Sequence, residues 1–273
     1  MKSESTSRAD NVDDARGRTG DVRSVTRAIS VLTAFEDAEE LSLADLAAHT
    51  KLPKPTVFRL TLTLENAGFL SRSQEGHLFS LGPRLVSVAR LVLARGLPAT
   101  ARPHMQQLAR TFGHTVNLAV FDGDEMLFID VIESRSNLRM VSAIGAREPF
   151  YSDAVGKAVV AELDPSELEA LLSRRPLRAL TPSTITSRAA LEAELQEVRE
   201  RGYATDRGES QAGAHCVAAP IIGRHGVVGG ISLSAAADQL PEEDFPLVGA
   251  AVREATDAIS AALGGTPSVA AAR

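Results

Sequence analysis

Two prolines separated by one residue constrain this chain more than any other feature of its sequence. Pro53 and Pro55 lie in the stretch LPKPTVFRL, residues 52–60. Proline breaks the interior of a helix but is accepted in its first turn. The stretch therefore predicts a helix that begins near Lys54 and runs to about Ala67, with Gly68 as its C-terminal cap.

The segments around this helix predict a winged helix-turn-helix. SVTRAISVLTAFED places apolar residues at steps of three and four, and LSLADLAAHT begins a second helix with Ser42 as its N-cap. Two short apolar stretches, at residues 69–70 and 78–79, flank a polar turn and predict a hairpin. The helix-turn-helix then spans about residues 42–61, within a domain of residues 21–82. A helical bundle with a hairpin is the alternative, and the short turn and the basic third helix favour the DNA-binding fold.

The charge is distributed unevenly along the chain. The formal net charge is −6, yet residues 51–95 contain seven Lys or Arg against two Glu, a local charge of +5. Residues 96–273 contain sixteen basic and twenty-three acidic residues, a charge of −7. A local basic patch is what phosphate groups require, although a solvated surface has the same composition.

A projection of the third helix at 100° per residue separates a core face from an outward face. Val57, Leu60 and Leu64 point towards the core. The candidate DNA contacts are at the tip and on the outward face of the helix, at Lys54, Thr56, Phe58 and Arg59. Arg59 suits guanine or phosphate, and Lys54 and Thr56 suit phosphates or base edges.

Two of the candidate contacts leave alternatives open. Phe58, like Leu62, is apolar on an outward face, so it either packs against the wing or meets thymine methyl groups. Arg72, in the hairpin, is either a contact to the DNA backbone or minor groove or an ordinary surface residue.

The segment LGPRLVSVARLVLARG predicts a linker helix over residues 83–95 with one apolar stripe. Such a stripe at a domain boundary suits dimerisation. Operators read by this motif usually contain two half-sites, so we expect a homodimer or homotetramer bound to double-stranded DNA.

The rest of the chain predicts a second domain over residues 96–263. Its strands and helices mix without strict alternation, which indicates an α+β fold. Ser232 and Ser234 are two residues apart in one predicted strand, so their hydroxyl groups face the same side. Hydroxyls on a core face need a polar partner, and either a bound carboxylate or buried water could supply it.

Several classes of site find no support in the sequence. The single cysteine, Cys216, excludes an internal disulfide and a cysteine-rich zinc site. His215 and Cys216 are adjacent in a strand and point to opposite faces, so they are not a nucleophile–base pair. GVVGGIS and VGKA lack the features of a phosphate-binding loop. We therefore expect no enzyme, no cofactor and no metal.

The chain ends are expected to be a disordered arm at residues 1–20 and a flexible tail at residues 264–273. The first twenty residues contain no apolar segment, and no run long enough to span a membrane occurs. With a single cysteine, this composition suits the cytoplasm.

The chain resembles the IclR family of transcriptional regulators over roughly residues 22–263. The resemblance rests on SVTRAISVLTAF, LSLADLAAHTKLPKPTVFRL and LENAGFLSR in the first domain, and on YSDAVGKAVVAEL, RGYATDRGE and GAHCVAAPIIGRHGVVGGISLS in the second. It implies a ligand-responsive regulator with a GAF-like α/β effector-binding domain. Pro55 and Thr61 depart from the family pattern, which often has Ser and Leu there.

The resemblance also implies where an effector binds. Effector contacts of the family match six positions of this chain. Ala154 and Val155 belong to a loop before a helix, Asp206 precedes the strand that contains Cys216, and Ser232 and Ser234 lie in the last strand. Met140 is expected to be an apolar wall residue. The implied function is repression of a catabolic operon in response to a small organic acid. Activation, a sensing module whose winged helix contacts proteins, and a Cys216-dependent enzyme are the alternatives.

Overall fold

The computed structural model describes residues 22–36, 38–93, 96–134 and 142–266. The chain divides into two compact units, with the boundary between Arg90 and Leu91. The predicted arm at residues 1–20, residues 267–273 of the predicted tail, and Met140 lie outside the described residues.

The first unit contains three helices and a small sheet. In chain order its elements are α1 (Arg23–Thr33), β1 (Leu41–Ser42), α2 (Leu43–Thr50), α3 (Lys54–Asn66), β2 (Leu70–Arg72) and β3 (Leu78–Leu81). The strands are antiparallel in the order β1-β3-β2. The three helices and the β2–β3 hairpin agree with the prediction, whereas β1, only two residues long, was not predicted.

The turn between α2 and α3 is fixed at both ends by local chemistry. α2 begins with a capping box, in which the Ser42 side chain accepts a hydrogen bond from the Asp45 amide and Asp45 Oδ2 accepts one from the Ser42 amide. It ends at Lys51, whose φ of 54° is left-handed. Pro53 then caps α3, and Pro55 occupies its first turn. The two prolines therefore start the helix, as the sequence predicts.

A small core holds these helices on the sheet. It consists of buried apolar side chains from all three helices and both hairpin strands, including Val31, Leu46, Val57, Leu70 and Phe79. Thr61 is also fully buried, and its hydroxyl donates to the Phe58 carbonyl oxygen at 3.0 Å. A polar residue is accommodated there because that hydrogen bond stays within the helix.

Helix α4 (Arg84–Leu93) contains the boundary between the two units. Val88, in its predicted apolar stripe, is exposed, and Val86 beside it is more exposed still. The proposed role of this helix in dimerisation stays a prediction.

The second unit is built on one antiparallel sheet. Its elements are α5 (Leu97–Phe112), β4 (Thr115–Asp122), β5 (Glu125–Ile132), β6 (Arg147–Pro149), α6 (Ala154–Val160), α7 (Pro165–Arg174), α8 (Arg188–Arg201), β7 (Ala204–Arg207), β8 (Ala214–Gly223), β9 (Gly226–Ala236), a 3-10 turn (Glu242–Asp244) and α9 (Phe245–Ala262). The six strands lie in the order β6-β5-β4-β9-β8-β7. The architecture is α+β.

The sheet has an apolar core on each face. Helices α5 and α9 cover one face, where Met105, Leu118, Ile231 and Leu233 are buried. Helices α6, α7 and α8 contribute to the core of the other face, with Val155, Val159 and Leu195. Because successive strand residues alternate between the faces, Ser232 and Ser234 point towards the α6 side.

Two glycines allow α6 to approach its neighbours closely. A Cβ atom on Gly156 would lie 2.4 Å from the Phe150 carbonyl oxygen, and one on Gly230 would lie 2.8 Å from the Val155 side chain. These are the glycines of VGKA and GVVGGIS, so close packing explains them without a phosphate-binding loop. Among the described helices, none is both long enough and apolar enough to cross a membrane.

Candidate functional site

The outward face of α3 presents polar and apolar groups together. Lys54, Phe58 and Arg59 are exposed, while Val57 on the opposite face is buried. Phe58 is 46% exposed and Leu62 41% exposed, so each is partly covered and partly accessible, and both alternatives for Phe58 stay predictions. The helix surface that the sequence projection assigns to DNA is thus accessible.

Thr56 is less accessible than its neighbours on α3. It is half-buried and lines a groove between α1 and α3 together with Ser24, Arg27 and Arg59. The groove has a volume of about 570 Å³. Arg59 therefore borders both the outward face of α3 and this groove.

Arg72 is committed to a contact within its own unit. Its guanidinium donates to both carboxylate oxygens of Glu65, with the Nη2–Oε2 distance at 2.7 Å, and lies 4.5 Å from the centre of the Phe79 ring. The same hydrogen bonds lower the pKa of the Glu65 carboxyl. The pair joins the wing to α3, so the charge of Arg72 is already compensated.

The candidate effector site is a cavity of about 230 Å³ on the α6 side of the larger sheet. Its polar lining comes from well-separated parts of the chain and includes Asn117, Glu148, Asp153, Cys216 and Ser234. Of the residues expected to contact the effector, Cys216 and Ser234 line this cavity. Four other predicted residues are buried without lining it: Ala154, Val155, Asp206 and Ser232.

Asn117 is the polar partner that the two serines require. Its Nδ2 donates to Ser232 Oγ and to Ser234 Oγ, both at 3.2 Å, across the pairing of β4 with β9. Neither the carboxylate nor the buried water expected from the sequence is needed to satisfy the serine oxygens. The polar residue between Val116 and Leu118 in an alternating strand was the signal that could have revealed it.

The cavity is acidic. The pKa of Asp153 is raised to about 8, first by burial and then by the nearby carboxyl groups of Asp206 and Glu148, while the amides of Ala154 and Val155 oppose the shift. Burial likewise raises the pKa of Asp206 and of Glu148. The amides of Ala154 and Val155 at the start of α6 thus already face a carboxyl group of the chain itself.

Asp206 is held in place by the loop that follows it. Its Oδ1 accepts a hydrogen bond from the Glu209 amide at 2.6 Å, and its Oδ2 accepts one from the Ser210 hydroxyl at 2.5 Å. Glu209 in turn accepts from the fully buried Nζ of Lys157 at 2.6 Å. This ion pair fixes the loop beneath the cavity.

Cys216 lacks the features of a catalytic thiol. Burial, together with the carboxyl groups of Asp206 and Asp153, raises the pKa of its thiol well above the usual range. His215 points to the other face of the sheet, where its Nδ1 lies 2.8 Å from the Leu240 carbonyl oxygen. A protonated thiol without an adjacent base is a poor nucleophile.

Two family descriptions match consecutive parts of the chain. The IclR helix-turn-helix domain matches residues 24–74, and the C-terminal domain of the bacterial transcriptional regulator IclR matches residues 90–261. Together they cover both compact units.

Similar proteins are transcriptional regulators. The regulator KdgR of Escherichia coli K12 is 34% identical over 245 residues, which cover 89% of this chain and 93% of KdgR. The repressor AllR of the same strain is 32% identical over 260 residues, 91% of this chain and 96% of AllR.

Solved structures show the same architecture. An IclR regulator from Alicyclobacillus acidocaldarius has a TM-score of 0.80 at 28% identity and covers 88% of this chain and 98% of its own. An IclR homolog from Microbacterium hydrocarbonoxydans, complexed with 4-hydroxybenzoate, has a TM-score of 0.79 at 26% identity, covering 88% and 99%. The chain therefore belongs to the IclR family and is a DNA-binding transcriptional regulator with an N-terminal winged helix-turn-helix and a C-terminal α/β domain.

Proposed function

We propose that this regulator represses a catabolic operon and that a small organic acid bound in the cavity changes its affinity for the operator. The observation that carries the proposal is the cavity, where the Ser234 hydroxyl, the Asn117 amide and the Cys216 thiol converge with buried carboxyl groups beside an apolar core. A few convergent polar groups in a concave apolar site are typical of a ligand site.

The size of the cavity supports a small ligand. A cavity of about 150 Å³ holds one benzene molecule, and drug-sized ligands occupy roughly 300 Å³ or more. At about 230 Å³, this site suits a molecule between those limits. The Microbacterium relative, whose structure contains 4-hydroxybenzoate, is consistent with an organic acid of that size.

The hydroxyl groups supply the donors that a carboxylate needs. Ser232 and Ser234 each accept a hydrogen bond from Asn117, so each retains its own hydroxyl proton for donation. Ser234 lies at the cavity itself, and Cys216 beside it adds a weak donor.

The operator is read by the exposed face of α3 in this proposal. Arg59 contacts guanine or phosphate, Lys54 and Thr56 contact the DNA at the tip of the helix, and Phe58 meets thymine methyl groups. A homodimer or homotetramer places two such helices in successive major grooves. The second unit, residues 91–266, binds the effector.

A gel-shift assay with the DNA upstream of the coding region tests the DNA side of the proposal. We expect specific binding whose affinity falls steeply with salt, because phosphate contacts release counterions. Binding equally weak to unrelated DNA would contradict an operator role and favour a winged helix that contacts proteins.

A thermal-shift screen of small organic acids, followed by the same gel shift, tests the effector side. The acid that raises the unfolding temperature should alter operator affinity, and Ser232→Ala with Ser234→Ala should abolish that response. Ser234→Ala alone keeps Ser232 as a partner for Asn117, so it separates loss of ligand from loss of fold. Ser183→Ala, an exposed serine outside the cavity, is the matched control. A double variant that responds like the wild type would place the ligand elsewhere.

A further inference from the structure

Arg27, in helix α1, differs from every other half-buried arginine that the structure describes. Its guanidinium takes part in no hydrogen bond or ion pair within the described residues, although its carbonyl oxygen accepts a bond from the Ser30 hydroxyl. The other half-buried arginines each donate a hydrogen bond to a carboxylate or carbonyl oxygen: Arg72, Arg175, Arg199, Arg201 and Arg253. A partly desolvated cation without a partner is unfavourable, so Arg27 is suited to bind an anion from outside the chain.

Arg27 shares the groove between α1 and α3 with a second arginine, Arg59. Among the described residues, no Asp or Glu lines this groove. Ser24 and Thr56 add two hydroxyl groups, and the described structure shows no hydrogen bond for either. Two cations and two hydroxyl donors therefore line one groove of about 570 Å³ without a negatively charged group of the described chain among them.

The helix ends at this groove are positive as well. Ser24 is in the first turn of α1 and Thr56 is in the first turn of α3. Neither helix has a side-chain hydrogen bond at its N-cap, and neither first turn contains an acidic residue. Because the N-terminus of a helix has a partial positive charge, both helix ends add to the preference of the two arginines for an anion.

The position of the groove identifies this anion as a nucleic-acid backbone. Arg59 borders both the groove and the exposed face of α3, where Lys54 and Phe58 lie. A helix in the major groove has a sugar–phosphate backbone along each side, and arginine and hydroxyl side chains are common contacts to phosphate oxygens. The groove therefore continues the DNA-facing surface of α3 onto α1.

We propose that the groove between α1 and α3 binds the sugar–phosphate backbone of the operator, with Arg27 and Arg59 paired to phosphate groups and Ser24 and Thr56 donating to phosphate oxygens. Helix α1 then belongs to the DNA interface together with α3. Arg59 fixes the position of α3 on the DNA instead of reading guanine. This inference rests on the operator binding proposed above and assigns part of its contacts to positioning rather than to base recognition.

Gel shifts of the full-length chain at increasing salt, with Arg27→Met beside the wild type, test the phosphate contact. Methionine keeps an apolar stem in the groove but removes the charge. We expect operator affinity at low salt to fall about tenfold, because a charge-assisted hydrogen bond to phosphate is lost. The slope of log affinity against log salt concentration should decrease by about 1. Arg27→Lys restores the charge and should recover most of that slope.

Sequence preference separates phosphate contacts from base contacts. Arg27→Met and Arg59→Met should weaken binding to the operator and to unrelated DNA by similar factors, so the ratio of the two affinities keeps its wild-type value. A ratio that falls in Arg59→Met would mean that Arg59 reads a base and would overturn its assignment to phosphate.

Arg84→Met is the matched control, because it makes the same change at an exposed arginine of the first unit outside the groove. Its affinity and salt slope should stay close to the wild-type values. Equal effects in Arg84→Met and Arg27→Met would show that only the net charge of the unit matters and would overturn the groove. Ser24→Ala, at an exposed position, removes one donor without disturbing the core and should weaken operator binding about threefold.

Thermal unfolding and light scattering of each variant check the fold and the oligomeric state. If Arg27→Met dissociates into smaller species and keeps the wild-type salt slope, the groove binds a second copy of the chain and the proposal is wrong. A folded Arg27→Met with wild-type affinity and slope also overturns the groove, and it leaves the operator function intact. Wild-type protein without salt-dependent binding to its upstream DNA overturns the operator function itself, and this inference with it.

Discussion

The second unit of this regulator buries several charged side chains, whereas the described part of the first unit buries none. In the first unit Lys54 and Arg59 are exposed on α3. In the second unit Lys157 and Asp206 are fully buried, and Asp153 is nearly so. An exposed charge is solvated whether or not it has a partner, but a buried charge is tolerated only when it is compensated. The first arrangement leaves charges available to a phosphate backbone, and the second makes stability depend on what the charges contact.

This comparison predicts which substitutions unfold the protein and which affect only binding. Changes at α3 should alter DNA affinity while stability is kept. Changes beneath the cavity should lower the free energy of unfolding before any effect on the ligand can be measured.

The largest effect is expected at Lys157. Lys157→Met leaves the buried Glu209 carboxylate without its 2.6 Å partner, and removing one member of a buried pair costs about 3–5 kcal/mol. Urea unfolding of the full-length chain measures the loss, and hydrogen exchange of α6 localises it to the second unit.

The double variant K157M/E209L is the control for this ion pair. It removes both charges, so it should recover a large part of the lost stability. A loss below about 1 kcal/mol in Lys157→Met would show that the pair behaves like an exposed one and would break the comparison.

The next largest effect concerns operator affinity. Arg59→Ala should weaken specific binding by about 1–3 kcal/mol, because one guanidinium contact to a base or phosphate is lost. Its unfolding temperature should stay at the wild-type value, since the side chain is exposed. Arg224→Ala removes an exposed arginine from the second unit and should bind the operator normally. Equal losses in the two variants would mean that Arg59 has no special place in the interface.

A smaller effect, with the opposite sign, is expected in the helix-turn-helix turn. Lys51 has a left-handed φ of 54°, which costs a residue with a Cβ atom roughly 1–2 kcal/mol. Lys51→Gly relieves this strain, but glycine also raises the conformational entropy of the unfolded chain, which lowers the free energy of unfolding by about 0.4–1 kcal/mol. We therefore expect the free energy of unfolding to rise by a net amount of about 0.5–1 kcal/mol. Slower hydrogen exchange in α2 and α3 would record it. Lys51→Ala keeps the Cβ atom, and equal stabilisation by Ala would refute strain as the cause.

The smallest effect belongs to the Glu65–Arg72 pair, whose side chains are 27% and 29% exposed. Its hydrogen bonds lower the folded-state pKa of Glu65 from 4.5. The stabilisation is therefore present above pH 4.5 and disappears as the pH falls through the lower folded value. The difference in unfolding free energy between the wild type and Glu65→Gln should be below about 1 kcal/mol at pH 7 and vanish in acid. A difference that persists at pH 3 would assign it to packing.

The first unit could be predicted from sequence because its determinants are local. Pro53, Pro55 and the Ser42 cap each act on residues within one turn of themselves, so the helices and the outward position of Arg59 follow from spacing. Prediction from local patterns fails for very short elements. Strand β1 was not predicted because two residues are too few to show a periodic pattern.

The cavity was harder to predict because its groups meet across strands. The resemblance to the family indicated Cys216 and Ser234, but Asn117, Glu148 and Asp153 did not emerge as lining residues. Asn117 reaches the serines only through the pairing of β4 with β9, and the carboxyl cluster depends on three separate elements. A spacing rule within one segment cannot detect such an arrangement.

The pairing of Asn117 with Ser232 also determines where the chain can tolerate a change in length. A strand that slips by one residue turns every side chain to the opposite face. One residue inserted between Thr115 and Asn117 would therefore carry the amide into the apolar layer beneath α5 and α9 and leave the serines without it. One residue added at Gly123, in the exposed β4–β5 turn, leaves that alignment intact. Natural or engineered length variation should accordingly collect at the turn and be absent from the first half of β4.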